Sequence, residues 1–281
     1  MISIKKFFRF IFSVMNSSKK DSIGAYTANA AFFITVSFMP FIMLLISILR
    51  FLPLGETQLV QQVASIFPAA AKEIVATVVA ESYNKSDPTV ISITAIASLW
   101  AASMGIHSLT KGIDRIYNSD KPKSIIRLRF KSMIYTLAVF AVIIFWLGIV
   151  VFGDNISALI VRKLPWTAGL MSILGKLGGL WSFLILFLFF ILMYTVIPSK
   201  KHRMIIQVPG AAIGAVGCLG VSNLFAYYYE ALLGFSSVYG GLTIIVFFMF
   251  WLFFCLYSLF IGAEVNKCIG ENFENDSIVE P

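Results

Sequence analysis

Six long runs of apolar residues, separated by shorter polar segments, divide the chain. Each run is close to the length of about 20 residues that an α-helix needs to cross the hydrocarbon core of a bilayer. The pattern predicts an all-α, polytopic membrane protein with a bundle of six transmembrane helices. The predicted spans are residues 28–52, 89–107, 133–152, 180–197, 205–228 and 242–265.

The polar segments outside the spans predict amphipathic helices at the membrane interface. Residues 1–27 mix basic residues with phenylalanines, which is typical of a helix lying in the cytoplasmic interface. Apolar residues recur at helical intervals within residues 53–88, which indicates two short helices on the outer surface. We predict one transmembrane domain over residues 28–266, followed by an acidic, disordered cytoplasmic tail over residues 267–281.

Composition and charge agree with a membrane protein and give it an orientation. Of the 281 residues, 59% are hydrophobic and 13% are charged, which is more apolar surface than a soluble domain of this length can bury. Sixteen of the 22 Lys and Arg residues fall on one side of the six-span pattern, and six fall on the other. Because the positive side is cytoplasmic, both termini are predicted to be cytoplasmic. The net charge of +8 therefore does not require a nucleic acid partner.

The residues that most enzymes use are sparse in this chain. His107 and His202 have no metal-ligating partner at helical spacing. Cys218, Cys255 and Cys268 lack Cys-x-x-Cys spacing, so we interpret them as packing residues and expect neither a disulfide nor a metal site. No Gly-x-x-x-x-Gly-Lys-Ser/Thr motif occurs for ATP. We expect no cofactor and no enzymatic activity.

Several polar side chains interrupt the apolar spans, and the second span is so rich in small residues that it is predicted to be a buried central helix. An unpartnered amide or hydroxyl in hydrocarbon is costly, so these polar side chains are expected to face other helices. We interpret them either as contacts between helices or as the lining of a substrate path. The substrate-lining candidates are Asn29, Ser37, Pro40, Ser98, Ser103, Asn223, Tyr227, Tyr239, Glu264 and Asn266.

Glu264 is the acid that ends the last apolar run. Ionisable groups near a membrane core are commonly functional, which favours a proton or cation site at this position. The position also suits a structural acid that pairs with a nearby cation, such as one in the segment Lys111–Arg115, and fixes the end of the helix. The sequence is compatible with both interpretations of Glu264.

The strongest cluster of positive charge follows the second span. It predicts either the orientation signal of a cytoplasmic loop or a surface that contacts the headgroups of anionic lipids. The headgroup candidates are Lys111, Arg115, Lys123, Arg127, Arg129 and Lys131.

Glycines of the fifth span predict a close helix contact. Gly210 and Gly214 are four residues apart and Gly217 follows three residues later, so small residues share one region of the helix. This face is interpreted either as a contact inside the bundle or as the surface of a homo-oligomer.

Several of these motifs together resemble the YihY/BrkB family, formerly called ribonuclease BN-like. The resemblance extends from Asp21 to Asn266 and implies a six-span protein of the cytoplasmic membrane. Members of that family have been linked to ribonuclease activity, to serum resistance and to transport, including transport of lipids. The matching motifs are Ala25 to Pro40, Ser98-Leu99-Trp100-Ala101-Ala102-Ser103 with Gly105, Ile113 to Asn118, Tyr239-Gly240, and Gly262-Ala263-Glu264 with Asn266.

Transport is the function that the sequence favours. A helical bundle with proline kinks and polar faces can open a groove for a substrate without ATP hydrolysis. We expect a transporter or lipid translocase for an amphipathic or anionic substrate, with membrane lipids such as anionic phospholipids as partners. The alternatives are a membrane scaffold or assembly protein and the ribonuclease that the old family label suggests.

Overall fold

The chain folds entirely into α-helices wherever its structure is described. The computed structural model describes residues 2–49, 88–118, 126, 128–142, 178–198, 204–232 and 241–279. These ranges contain seven helices and no strand, which confirms the all-α prediction. The helices are α1 (Ile2–Lys20), α2 (Ile23–Leu49), α3 (Pro88–Ile116), α4 (128–142), α5 (Gly178–Val196), α6 (Met204–Leu232) and α7 (Gly241–Val279).

Two of these helices are long and apolar enough to cross a membrane, α6 over Met204–Tyr228 and α7 over Ile245–Gly270. Shorter apolar stretches occur in α2 over Ile23–Phe38 and in α5 over Phe183–Val196. These four segments overlap the first, fourth, fifth and sixth predicted spans, the first of them only over residues 28–38. The count of six spans stays a prediction, and residues 53–87, where two outer helices are predicted, lie outside the described residues.

The last helix is longer than the sequence predicts. α7 continues to Val279, so residues 267–279, for which the sequence predicts a disordered tail, are described as helical. Packing explains the beginning of this extension, because Val14 of α1 contacts Val265 and Cys268 of α7. The first turn of the predicted tail is therefore part of the folded bundle.

Polar and apolar side chains are distributed as in a membrane protein. Large apolar side chains are exposed on all seven helices, among them Ile96 of α3, Leu188 of α5 and Ile205 of α6. A water-soluble monomer rarely exposes so much apolar surface. Many hydroxyl groups are instead buried, and they donate to carbonyls of their own helix, as Thr27 does to Ile23 at 2.7 Å.

α7 is the helix around which the others assemble, since it contacts α1, α2, α3 and α6. Where α6 and α7 cross, a Cβ atom on Gly210 or on Gly262 would overlap the carbonyl oxygen of the other glycine. Only glycine permits this approach of two backbones. Gly214 packs against side chains of α5, and Gly217 packs against the Ser258 side chain of α7. The glycine face proposed for a homo-oligomer is therefore filled by helices of the same chain.

α2 and α3 form a second closely packed pair. Gly105 of α3 lies against α2, and the Ser108 hydroxyl donates to the Tyr26 carbonyl at 2.9 Å. Ile96 and Trp100 are exposed on another side of α3. The prediction that this span is a buried central helix is therefore wrong, because its small residues pack on one face only.

Candidate functional site

Two adjoining polar clusters form where the apolar part of α7 ends. Both draw on side chains from α7 and from helices distant in the sequence. The acid–lysine cluster consists of Asp21, Arg115, Glu264 and Lys267. The amide cluster consists of Tyr117, Gln207 and Asn266.

The turn between α1 and α2 places Asp21 beside α7. The Asp21 amide donates to the Ser17 carbonyl at 2.9 Å, which closes the last turn of α1. Ser22 then adopts a left-handed conformation with φ of 53°, which is uncommon for a residue other than glycine. α2 begins immediately afterwards, so Asp21 is held at a short, sharply bent junction.

Lys267 is the centre of the acid–lysine cluster. Its Nζ atom lies 2.6 Å from Asp21 Oδ2 and donates to Ser17 Oγ at 3.2 Å. The same atom is 3.9 Å from Glu264 Oε2, three residues earlier on the same helix. Arg115 of α3 approaches the other Asp21 oxygen, with its Nε atom at 3.5 Å. One lysine therefore lies between two acids.

Glu264 is buried without a hydrogen bond. Its side chain is 0% exposed, and neither carboxylate oxygen has a hydrogen-bond partner in the described part of the chain. A carboxylate in such surroundings loses hydration that no donor replaces. The ion pair that the structure describes for Glu264 is with Lys267 on the same face of α7, whereas Arg115 of the segment Lys111–Arg115 contacts Asp21.

The amide cluster is extensively hydrogen-bonded. The Asn266 amide donates to Gln207 Oε1 at 2.9 Å and to the Gln207 carbonyl at 3.2 Å. Directly after Pro209, which interrupts the regular hydrogen bonding of α6, the Gly210 N–H donates to Asn266 Oδ1 at 2.7 Å. Tyr117 donates to Gln207 Oε1 at 2.6 Å, and burial raises the pKa of the Tyr117 phenol, so it keeps its proton.

Among the substrate-lining candidates, only Glu264 and Asn266 belong to these clusters. Ser37, Ser98 and Ser103 are buried, and each donates to a carbonyl of its own helix, at 2.8, 3.0 and 2.7 Å. Their hydroxyls are satisfied by their own backbones. The three serines therefore fit the interpretation as packing residues within the helix bundle.

The remaining lining candidates do not converge. Asn29, Asn223 and Tyr227 are exposed, so the expectation that the Asn29 side chain faces other helices is wrong. Helical spacing indicates which residues share a face but not which face is packed, and Ala30 and Ala31 take the packed face of α2. Two candidates remain: Pro40 is partly buried within α2, and Tyr239 lies outside the described residues.

Several of the headgroup candidates contact other parts of the protein. Lys131 donates to the Ile197 carbonyl at the end of α5 at 3.1 Å, a favourable position for a cation at a helix C-terminus. The Arg129 guanidinium lies 4.5 Å from the centre of the Trp100 ring. Arg115 takes part in the acid–lysine cluster. The other candidates are Lys111, which is exposed, and Lys123 and Arg127, which lie outside the described residues.

Two regions bear on metal-dependent chemistry. The His107 ring lies 3.5 Å from the Ser132 hydroxyl, and His202 is outside the described residues. In the described ranges, no three His, Cys, Asp or Glu side chains are grouped so that they could hold a metal ion. Asp21 and Glu264 supply two carboxylates, but the group beside them is the Lys267 ammonium, which is a cation and not a metal ligand.

Sequence reasoning missed four members of the clusters. These four residues are Asp21, Tyr117, Gln207 and Lys267. The spacing of Lys267 three residues after Glu264 is a local signal that the two could interact. No local signal pairs Asp21 with Lys267, because 246 residues separate them.

Comparison with known proteins identifies relatives over nearly the whole chain. Residues 14–278 match the family model described as Virulence factor BrkB. The chain is 26% identical over 243 residues to the ribonuclease-like protein YfkH of Bacillus subtilis (strain 168), covering 86% of this chain and 88% of that protein. It is 23% identical over 276 residues to a UPF0761 membrane protein of Haemophilus influenzae (strain 86-028NP), covering 96% and 97%. No solved structure matches the chain.

Proposed function

We propose that this chain, which belongs to the BrkB family of membrane proteins, is a transporter that moves an amphipathic, anionic substrate without hydrolysing ATP. The proposal includes six spans in the cell membrane, with both termini in the cytoplasm. A phospholipid with an anionic headgroup is the substrate that we would test first.

The observation that carries this proposal is the buried carboxyl group of Glu264, which has no hydrogen bond in the described part of the chain. It lies in a helix that is long and apolar enough to cross a membrane. Replacing buried charges by apolar residues of similar volume is often neutral or stabilising, so a bundle that only needs to be stable gains little from this acid. Ionisable groups at such positions typically belong to the path of a substrate or a proton.

The helices next to Glu264 contain features that allow movement. Pro40 lies inside α2, and Pro209 lies inside α6 directly before the amide cluster. Proline removes a backbone hydrogen bond and bends a helix, and membrane helices use such positions as hinges. The clusters therefore lie beside helices that can bend without breaking the bundle.

The charge around the clusters favours an anionic substrate. Arg115 is 47% exposed although it contacts Asp21, and Lys111 is exposed one turn earlier on α3. Cations at the end of a membrane helix attract anionic headgroups. An anionic headgroup could thus approach the acid–lysine cluster through α3.

Reconstitution into liposomes tests the proposal. Purified protein would be incorporated into vesicles with headgroup-labelled anionic or zwitterionic lipids, and the movement of label between leaflets would be measured with and without a pH gradient. We expect wild-type protein to move the anionic label faster than the zwitterionic one. Glu264→Gln should slow this movement at least about tenfold, which corresponds to about 1.4 kcal/mol.

Lys20→Met is the matched control, because Lys20 is exposed on α1 next to Asp21 and has no part in the clusters. This variant should retain the wild-type rate. If wild-type protein moves neither label under any gradient, lipid transport is not its function. If Glu264→Gln is folded and moves lipid at the wild-type rate, the buried carboxyl group of Glu264 has no role in lipid movement.

A further inference from the structure

The acid–lysine cluster contains more buried negative charge than its buried cation can balance. The side chains of Asp21 and Glu264 are 5% and 0% exposed, and that of Lys267 is 12% exposed. Arg115 supplies a second positive charge beside Asp21, with its Nε atom 3.5 Å from Asp21 Oδ1, but its side chain is 47% exposed. Because water screens an exposed guanidinium, Arg115 balances buried negative charge less than Lys267 does. With both acids ionised, one negative charge would be buried without close compensation.

We propose that Glu264 binds a proton, and that this proton determines whether Lys267 pairs with Asp21 or with Glu264. The inference rests on the proposed function, for which it supplies the coupling ion. It adds a ligand site and a conformational consequence that can be measured without any substrate.

The contacts indicate which acid carries the proton. Asp21 lies 2.6 Å from Lys267 and 3.5 Å from Arg115, so two cations contact this acid. Glu264 has the same lysine at 3.9 Å, and neither of its oxygens has a hydrogen-bond partner among the described residues, although Ser17 and Asp21 face it. When two nearby acids share one cation, the proton resides on the acid with the weaker contact. That acid is Glu264.

The groups facing Glu264 favour a proton over a metal ion. The Lys267 ammonium would repel a metal cation, and the described residues offer no third ligand beside the two acids. Tyr117 from the end of α3 is also nearby, but it donates to Gln207 and stays neutral. A proton requires no cage of ligands, and it neutralises the buried charge completely.

Release of the proton would change the partner of Lys267. An ionised Glu264 attracts the flexible lysine side chain from the same face of α7. The lysine then leaves Asp21 and the Ser17 hydroxyl, which belong to α1 and to its junction with α2. The link between α7 and α1 is therefore strongest when Glu264 is protonated at low pH, and it weakens as the pH rises.

Infrared difference spectroscopy tests the proton site directly. A protonated carboxyl group has a C=O stretching band that a carboxylate lacks, so a buried acid that titrates gives a pH-dependent difference band. We expect this band in the wild type, the same band displaced to lower pH in Asp21→Asn, where Lys267 is free to pair with Glu264, and no band in Glu264→Gln. A band that disappears in Asp21→Asn and persists in Glu264→Gln would place the proton on the wrong acid and overturn the inference, as would spectra that do not differ.

Cys268 provides a second readout, for the conformational consequence. It is buried on α7 against Val14 of α1, and it becomes the only thiol of the chain once Cys218 and Cys255 are replaced by alanine. In this background, its reaction rate with a water-soluble maleimide should rise several-fold more between low and high pH than in the same background with Glu264→Gln. The Gln variant accounts for ionisation of the thiol itself. Equal pH dependence in the two proteins would contradict the switch.

These readouts separate the two proposals. If the Glu264 band appears but the protein moves no lipid, the proposal of a proton site is supported and the proposal of lipid transport is contradicted. If lipid movement depends on Glu264 but no band titrates, the transport proposal is supported and the proposal of a proton site is contradicted.

Discussion

Asn266 and Glu264 stand two residues apart on α7 and are equally buried, but their surroundings differ. Asn266 is held by three hydrogen bonds to Gln207 and Gly210 of α6, whereas Glu264 has none in the described part of the chain. A polar side chain whose hydrogen bonds are made fixes two helices relative to each other. A buried acid without such bonds contributes little to that purpose. The difference separates a residue that holds the bundle from one that is available for binding.

The largest expected effect comes from Asn266→Ala. The substitution removes three hydrogen bonds, leaves the buried Gly210 N–H without its acceptor and takes from Gln207 Oε1 one of its two donors. We expect a loss of about 3 kcal/mol in the free energy of unfolding. Thermal unfolding in detergent, followed by size-exclusion chromatography of the remaining folded protein, measures this loss.

Asn223→Ala is the control for this variant, because Asn223 lies exposed on α6. Its unfolding temperature should stay close to that of the wild type. A similar, small shift in both asparagine variants would show that the amide cluster does not hold α6 to α7.

Gly210→Ala tests the same helix contact through its shape, with a somewhat smaller effect. The added methyl group would overlap the Gly262 carbonyl and the Asn266 side chain, and backbone atoms cannot move aside easily. We expect a loss of about 2 kcal/mol in the free energy of unfolding. Gly220→Ala is the control, since no atom lies within 4 Å of its added methyl group and alanine favours the helix. Equal stability of the two alanine variants would contradict the close crossing of α6 and α7.

The two sides of this comparison were not equally predictable from the sequence. Glu264 and Asn266 stand out because they interrupt an apolar helix, and hydropathy alone located α6 and α7. The partners of these residues were not predictable, because Gln207 lies 59 residues from Asn266 along the chain and only the packing of α6 on α7 joins them. The local sequence pattern does not show which residues far apart along the chain come into contact.

The same limit explains the errors among the polar candidates. Helical spacing placed Asn29 and Ser37 on a shared side of α2, but Ser37 is buried and Asn29 is exposed. Which face of a helix is buried depends on where a neighbouring helix packs. Small residues such as Ala30 and Gly105, which permit close contact, determine that position.

Glu264→Gln has the smallest expected effect on stability, and it distinguishes the role of Glu264 most clearly from that of Asn266. Glutamine has nearly the same size and no charge, so the buried charge disappears while the packing is kept. We expect the free energy of unfolding at neutral pH to change by less than about 1 kcal/mol or to increase, because isolated buried charges stabilise a fold poorly. Unfolding temperatures of wild type, Glu264→Gln and Asn266→Ala, measured side by side in detergent, would check this order. A loss as large as that of Asn266→Ala would make Glu264 a structural residue like its neighbour. A stable variant with slowed lipid movement would instead assign its carboxyl group to function, since the bundle then folds without it.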